Sequence, residues 1–146
     1  LRNNINGADS DTLIPLSKEI EAVREYLSPE YADPTKHFTV EYDLAAEDFM
    51  LPPLSVEPFV ENAVKHGIDR YSPDARILLR SYEDADSYVI EIRDNGKGFD
   101  MNEETLGKGG IGFKNAAARL ELMCGGVLDI RRNDGWTAVI IRIPKE

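Results

Sequence analysis

Val60-Glu61-Asn62-Ala63-Val64-Lys65-His66-Gly67 is the stretch on which the fold turns. As an α-helix it would place successive residues about 100° apart. Val56, Phe59, Val60, Ala63 and Val64 then share one apolar arc, suited to lying on a sheet. Asn62, Lys65 and His66, at i, i+3 and i+4, stand side by side on a different arc. An amide, an ammonium and an imidazole on one stripe make poor core. They make good ligands for a metal-bound polyphosphate, because an amide oxygen can take Mg²⁺ and the other two groups can meet phosphate oxygens. The same residues would also serve as a plain wet face, with Glu61 and Lys65 as a favourable i,i+4 ion pair. The rest of the chain decides between these readings.

Upstream, Pro52-Pro53 stops the chain, and the helix is predicted to begin between Pro53 and Ser55. Pro58 is acceptable there because the first turn of a helix leaves amide hydrogens unbonded anyway. An earlier helix opens at Ser17, a capping residue, with Ile20, Val23, Tyr26 and Leu27 at helical spacing, and should end at Ser28-Pro29. Phe38, Val40 and Tyr42 alternate with Thr39 and Glu41 as a strand. Downstream, residues 69–74 read as a loop, 77–82 and 88–93 as strands joined by a turn at 83–86, and 113–123 as a helix stopped by Gly125. Residues 127–131 and 136–143 form a hairpin around Asn133-Asp134-Gly135. Few, grouped helices and strands joined by short turns predict an α+β protein. The expected architecture is a two-layer sandwich: a mixed, mostly antiparallel sheet with helices on one face.

Composition narrows the class. A chain of 146 residues suits one domain, and 42% hydrophobic with 30% charged residues is ordinary for a globular protein. A net charge of −10 without a basic patch argues against a nucleic-acid surface. The lone Cys124 excludes an internal disulfide, fits a reducing compartment, and sits in an apolar Leu-Met-Cys run that reads as packing. His37 reads as a surface residue at a strand head, and Trp136 as packing at a strand start. No apolar run approaches the roughly 18 residues of a membrane span. The start Leu1-Arg2-Asn3-Asn4, without Met, reads as a cut through a longer protein whose remainder could still be membrane-bound.

Two glycine-rich segments point to a ligand. Asp94-Asn95-Gly96-Lys97-Gly98-Phe99 follows a strand directly, and the polar, aperiodic 100–105 does not return as its hairpin partner. A carboxylate at a strand end can accept from an exocyclic amine, and glycines let a flat base such as adenine approach the backbone. Gly107-Lys108-Gly109-Gly110-Ile111-Gly112 then leads into a helix. It matches G-x-G-x-x-G, but no strand precedes it, so the dinucleotide fingerprint is not met. No Gly-Lys-Ser/Thr occurs, so a P-loop is absent too. Backbone amides at a helix N-terminus still favour phosphate, with Lys97 and Lys108 able to add charge.

Three boxes in this order resemble a known family. The run from Pro53-Leu54 through 57–67 is similar to the N box of sensor histidine kinases of the LytS/YesM type. The run 94–99 resembles their first glycine box, and 110–115 with Arg119-Leu120 their second. Residues 16–27 resemble the segment that links their dimerisation helices to the nucleotide domain. The resemblance implies a Bergerat ATP-binding fold, in the superfamily that includes gyrase and the heat-shock-chaperone ATPases, with ATP and Mg²⁺ as ligands. It implies Asn62 as the Mg²⁺ ligand, Lys65 and His66 facing phosphates, and Asp94 reading adenine. Gly96, Gly98, Lys108, Gly109, Gly110, Ile111 and Gly112 would line the nucleotide, with a lid at 100–109. Glu61 is the candidate to orient or deprotonate an incoming imidazole.

The implied domain division is 1–28, the end of a dimerisation region with its linker helix, and 29–146, the ATP-binding domain. The implied activity is transfer of the ATP γ-phosphoryl group to a histidine on a separate segment, within a two-component signalling pathway. Its partners would be dimerisation and phosphoacceptor helices of the same parent and a response regulator; the parent would be a membrane-bound bacterial homodimer, with this domain in the cytoplasm. Two departures stand out. The hydrolysing relatives place a Glu where this chain has Pro58, so hydrolysis by their route is not expected. No phosphoacceptor motif surrounds His37 or His66, so the chain alone should not phosphorylate itself. The alternative is a nucleotide-binding switch without catalysis, of an anti-sigma or degenerate-kinase kind.

Overall fold

The computed structural model describes residues 12–32, 37–68, 72–96, 110–133 and 135–146. In chain order the elements are β1 (Ile14–Pro15), α1 (Leu16–Ala32), β2 (Thr39–Leu44), β3 (Met50–Leu51) and α2 (Glu57–Asn62). A π-helical turn (Ala63–Gly67) follows α2, then β4 (Arg76–Glu83), β5 (Ser87–Asp94), α3 (Gly110–Cys124), β6 (Val127–Asn133) and β7 (Trp136–Pro144). The main sheet runs β2-β4-β5-β7-β6; β2 lies parallel to β4, and every other pairing is antiparallel. The expected mixed, mostly antiparallel sheet is therefore present.

Alternation along the strands explains the layering. Ile77 and Leu79 of β4, Ile90 and Ile92 of β5, and Val139, Ile141 and Ile143 of β7 turn to one face. That face meets Leu16, Ile20, Val23 and Leu27 of α1, the arc Val56, Phe59, Val60, Ala63 and Val64, and Ala116 and Leu120 of α3 in one hydrophobic cluster. The opposite face carries cross-strand ion pairs such as Arg76–Glu41 at 2.8 Å, and an in-strand one, Arg93–Glu91 at 2.7 Å. The exposed Arg76–Glu41 pair stabilises little, whereas Glu91 is itself buried, so this second face is only partly open to solvent.

Three expectations need adjusting, and one strand pairing was not expected at all. Helix α1 runs past Ser28-Pro29 to Ala32. Pro29 removes only the bond to Glu25, which lies on the exposed side, so the freed carbonyl can be hydrated. The central helix starts at Glu57, later than expected, and Pro58 falls in its first turn. Helix α3 starts at Gly110, three residues early. Finally, β1 pairs antiparallel with β3, tying the entry of α1 to the loop before α2; two-residue strands leave no periodicity to read.

Other local readings hold. Gly125, with φ of 68°, closes α3, and the amides of Gly125 and Gly126 donate to the carbonyls of Glu121 and Leu120. Gly135 turns the last hairpin at φ of 81°. Cys124 is half-buried, its thiol donating to the Leu120 carbonyl and its pKa pushed up by burial, so it packs rather than reacts. His37 is exposed.

Candidate functional site

The site grows from the end of β5. Antiparallel pairing sets Asp94 opposite both Ile77 of β4 and Thr137 of β7, on the helix-facing side of the sheet. Asp94 is only 4% exposed. Among the described residues its carboxylate accepts one hydrogen bond, from the Gly96 amide at 3.1 Å. Burial pushes its pKa up to about 6, against the pull of the Gly96 amide and the charge of Arg132. Beside it, the Thr137 hydroxyl is buried with no hydrogen-bond partner among the described residues. A buried acceptor next to an unpaired hydroxyl is costly unless something polar is meant to meet them.

The end of the N-box helix roofs this pair. A Cβ on Gly67 would lie 2.8 Å from Asp94 Oδ2, so the carboxylate occupies the room a side chain there would need. A Cβ on Gly96 would fall 1.6 Å from the Gly67 carbonyl oxygen. Gly96 is thus required by contact between two backbones, a reason that stands beside the expected approach of a base. Asn95 fastens the same turn: its Oδ1 accepts from the Arg76 amide at 2.7 Å, and its Nδ2 donates to the Asp74 carbonyl at 2.7 Å.

Along the helix, Asn62 is the last α-helical residue. Lys65 and His66 lie on the π turn, where the Ile68 amide donates to the Ala63 carbonyl, five residues back. The stripe built at 100° per residue therefore fails beyond Asn62: docking of Gly67 against Asp94 and Gly96 coincides with a widened last turn, and π turns of this kind often mark functional sites. Lys65 and His66 are exposed and Asn62 partly so. Glu61 accepts from Lys65 Nζ at 2.9 Å, the ion pair expected from their spacing. Burial raises the Glu57 carboxyl, and the charges of Glu61 and Glu19 raise it further.

Gly110, Ile111 and Gly112 form the first turn of α3, so their amides belong to the unbonded set at a helix start. Phe113, next along, meets Phe59 of α2 edge-on at 6.3 Å, packing the second glycine box against the N box. Gly98, Lys108, Gly109 and the expected lid at 100–109 lie outside the described residues. Thr137 was missed in the sequence because a threonine in a strand has no local mark. Only the β5–β7 register sets it opposite Asp94.

The donor set fits an adenine nucleotide. An exocyclic amine would satisfy Asp94, and the orphaned Thr137 hydroxyl supplies a second polar contact at the same strand ends. The Asn62 carboxamide has no hydrogen bond among the described residues, and Mg²⁺ typically takes one or two protein oxygens and completes its shell with phosphate and water. No cluster of three His, Cys, Asp or Glu side chains suited to a metal occurs among the described residues. An α+β layer with a strand-end acid under a polar helical segment makes a site suited to a nucleotide, as the resemblance to the Bergerat class implies.

Comparison with known proteins agrees. The family described as "Histidine kinase-, DNA gyrase B-, and HSP90-like ATPase" matches residues 54–146. The sensor protein LytS of Staphylococcus haemolyticus is 35% identical over 107 residues, covering 72% of this chain and 18% of the relative. The sensor histidine kinase YpdA of Escherichia coli is 32% identical over 155 residues, covering 100% of this chain and 27% of the relative. The chain thus spans about a quarter or less of the length of these relatives. Among solved structures, the catalytic domain of histidine kinase ThkA superposes with a TM-score of 0.68 at 16% identity, covering 92% of this chain and 96% of that one. The histidine kinase domain of the Erythrobacter litoralis blue-light-activated kinase gives 0.67 at 20% identity, covering 90% of this chain and 61% of that one.

The chain belongs to the histidine kinase-, DNA gyrase B- and HSP90-like ATPase family, as an ATP-binding catalytic domain of the sensor-histidine-kinase kind.

Proposed function

We propose that this domain binds Mg²⁺·ATP and presents the γ-phosphoryl group to a histidine carried on another helix of the same parent protein. The observation that carries the reading is the buried Asp94, set against Gly67 and opposite Thr137, at the foot of the helical segment bearing Asn62, Lys65 and His66. In this reading Asp94 accepts from the adenine amine, and Asn62 offers its amide oxygen to Mg²⁺. Lys65 and His66 meet phosphate oxygens, aided by the amides of Gly110, Ile111 and Gly112 and by Gly98, Lys108 and Gly109. Bound Mg²⁺ supplies charge neutralisation for phosphoryl transfer. Glu61 orients or deprotonates the incoming imidazole once the nucleotide phosphates compete for Lys65.

Residues 1–28 serve as the linker from a dimerisation region and 29–146 as the nucleotide domain, although α1 shares the main core. The partners are the parent's phosphoacceptor helices and a response regulator, with the domain on the cytoplasmic side of a membrane-bound bacterial homodimer. Among the described residues no helix is long and apolar enough to cross a membrane.

Calorimetry tests the ligand. ATP and ADP should bind in a Mg²⁺-dependent way and in preference to GTP and NAD; GTP should bind at least about tenfold more weakly, since the 6-oxo group of guanine would set acceptor against the Asp94 carboxylate. Equal affinity for GTP and ATP would remove the role given to Asp94. Phosphorylation assays test the transfer. The chain alone should take no label from ATP, because neither His37, at a strand head, nor His66, on the π turn inside the proposed phosphate site, is placed as an external acceptor. Joined to the parent's upstream helices it should label on histidine, through high effective concentration. Acid-labile phosphate on the 146-residue chain would contradict the first statement. A longer, ATP-binding protein that stays unlabelled would favour a switch without catalysis.

A further inference from the structure

The turn before α2 is held from two other helices, and no side chain of its own caps it. The N-cap Val56 makes no side-chain cap, and α2 has only six residues before the π turn. Instead Glu19, from the first turn of α1, lies 3% exposed with its carboxylate inside this turn. Oε1 accepts from the amides of Ser55 and Val56, each at 2.9 Å, and Oε2 accepts from the Leu54 amide at 3.0 Å. Leu54 is held at φ of 62°, a left-handed conformation unfavourable for a leucine and sustained only where its surroundings over-determine it. From the other side, Arg119 of α3 donates through Nη2 to the Pro53 carbonyl at 2.5 Å.

The far end of the same helical segment is also fixed, by Gly67 against Asp94 and Gly96. The segment carrying Asn62 and Lys65 is therefore pinned at its foot by the strand-end loop and at its head by Glu19 and Arg119. Releasing the head leaves it free to pivot about Gly67. A pivot displaces the middle, where the phosphate-facing groups sit, and leaves the Asp94–Thr137 end in place.

We propose that Glu19 is a positioning residue for nucleotide binding, aiming the phosphate-facing helix from α1 with Arg119 as its second clamp. This rests on the nucleotide-site reading above. It goes beyond it in making the geometry of Asn62 and Lys65 depend on the helix that enters the domain. Three charge-assisted bonds, two of them to buried amides, are strong, and an amide in place of the carboxylate keeps only one oxygen and turns an NH₂ toward N–H donors.

The test compares two ligands on the 146-residue chain: Mg²⁺·ATP, which needs both ends of the site, and adenosine, which needs only the Asp94 end. In Glu19→Gln, with thermal melts confirming the folded state at the working temperature, Mg²⁺·ATP affinity should fall about tenfold or more while adenosine affinity stays within about twofold. Arg119→Gln, which removes one donor from a partly buried carbonyl, should shift the same ratio in the same direction by about threefold. It also provides the readout should Glu19→Gln fail to fold. Equal losses for both ligands, or an unchanged ratio in Arg119→Gln, would overturn the positioning role. Failure of the unaltered chain to bind either ligand would instead overturn the nucleotide-site reading.

Discussion

Replacing Asp94 by Asn should lower ATP affinity about ten- to a hundredfold while leaving the ligand-free protein as stable as before, or more so, at neutral pH. The affinity loss follows from exchanging a charge-assisted hydrogen bond for a neutral one at a buried site. The stability result follows from the direction of the pKa. Burial lifts the Asp94 carboxyl from 3.8 to about 6 in the folded protein. The folded state therefore prefers the protonated form, and this contribution to stability is full below about pH 4. It is lost as pH rises to about 6 and stays absent above that. A shift from 3.8 to about 6 corresponds to on the order of 3 kcal/mol, which asparagine escapes because it never ionises. Asparagine can still accept from the Gly96 amide.

Ligand binding should run the opposite way. ATP affinity should rise as pH rises through about 6, as the acceptor becomes a carboxylate, and Asp94→Asn should flatten that dependence. Thermal melts without ligand between pH 4 and 8, paired with calorimetry over the same range, measure both. Substantial destabilisation of the ligand-free variant at pH 7 would show that the carboxylate holds the fold rather than the ligand.

Gly96→Ala should be the most damaging single-methyl change among the described glycines. Its Cβ would fall 1.6 Å from the Gly67 carbonyl oxygen and 2.6 Å from Ile68 Cα, all backbone that no rotamer can relieve. The π turn would have to lift off the end of β5, losing about 3 kcal/mol or more of stability and opening the roof over Asp94, so ATP binding should disappear as well. Gly135→Ala is the matching control. It adds a methyl with nothing within 4 Å, at φ of 81°, and should cost only about 1 kcal/mol with binding intact. Urea unfolding of both variants, with ATP titrations, decides the matter. A Gly96→Ala protein as stable as the Gly135→Ala control would mean that the two backbones are not in contact.

Much of this molecule was legible before any coordinates. The arc Val56, Phe59, Val60, Ala63 and Val64 is buried as its helical spacing requires, and the strands expected at 77–82, from alternation at 88–93, and in the hairpin arm 136–143 are all present. Capping and turn chemistry placed Pro58, Gly125 and Gly135 correctly. These features are local: a residue's face within its own helix or strand follows from neighbours a few positions away. The order of the three polar and glycine boxes carried the family, because each box keeps together residues that must act within one turn.

The tertiary structure alone decided the rest, because those features join residues far apart in the chain. The parallel pairing of β2 with β4 and the setting of Thr137 opposite Asp94 are matters of strand register, which no single strand encodes. The π turn at Ala63–Gly67 departs from the spacing its own sequence suggests, where the helix meets Asp94 and Gly96 at closer range than any side chain would allow. In the sequence Glu19 is one residue of the run that opens the first helix, with nothing local to mark a partner. Its burial and its three amide partners arise only when α1 is laid across the turn 35 residues downstream. A carboxylate can satisfy donors from anywhere in the chain, so its partners are chosen by packing and leave no trace in the residues around it.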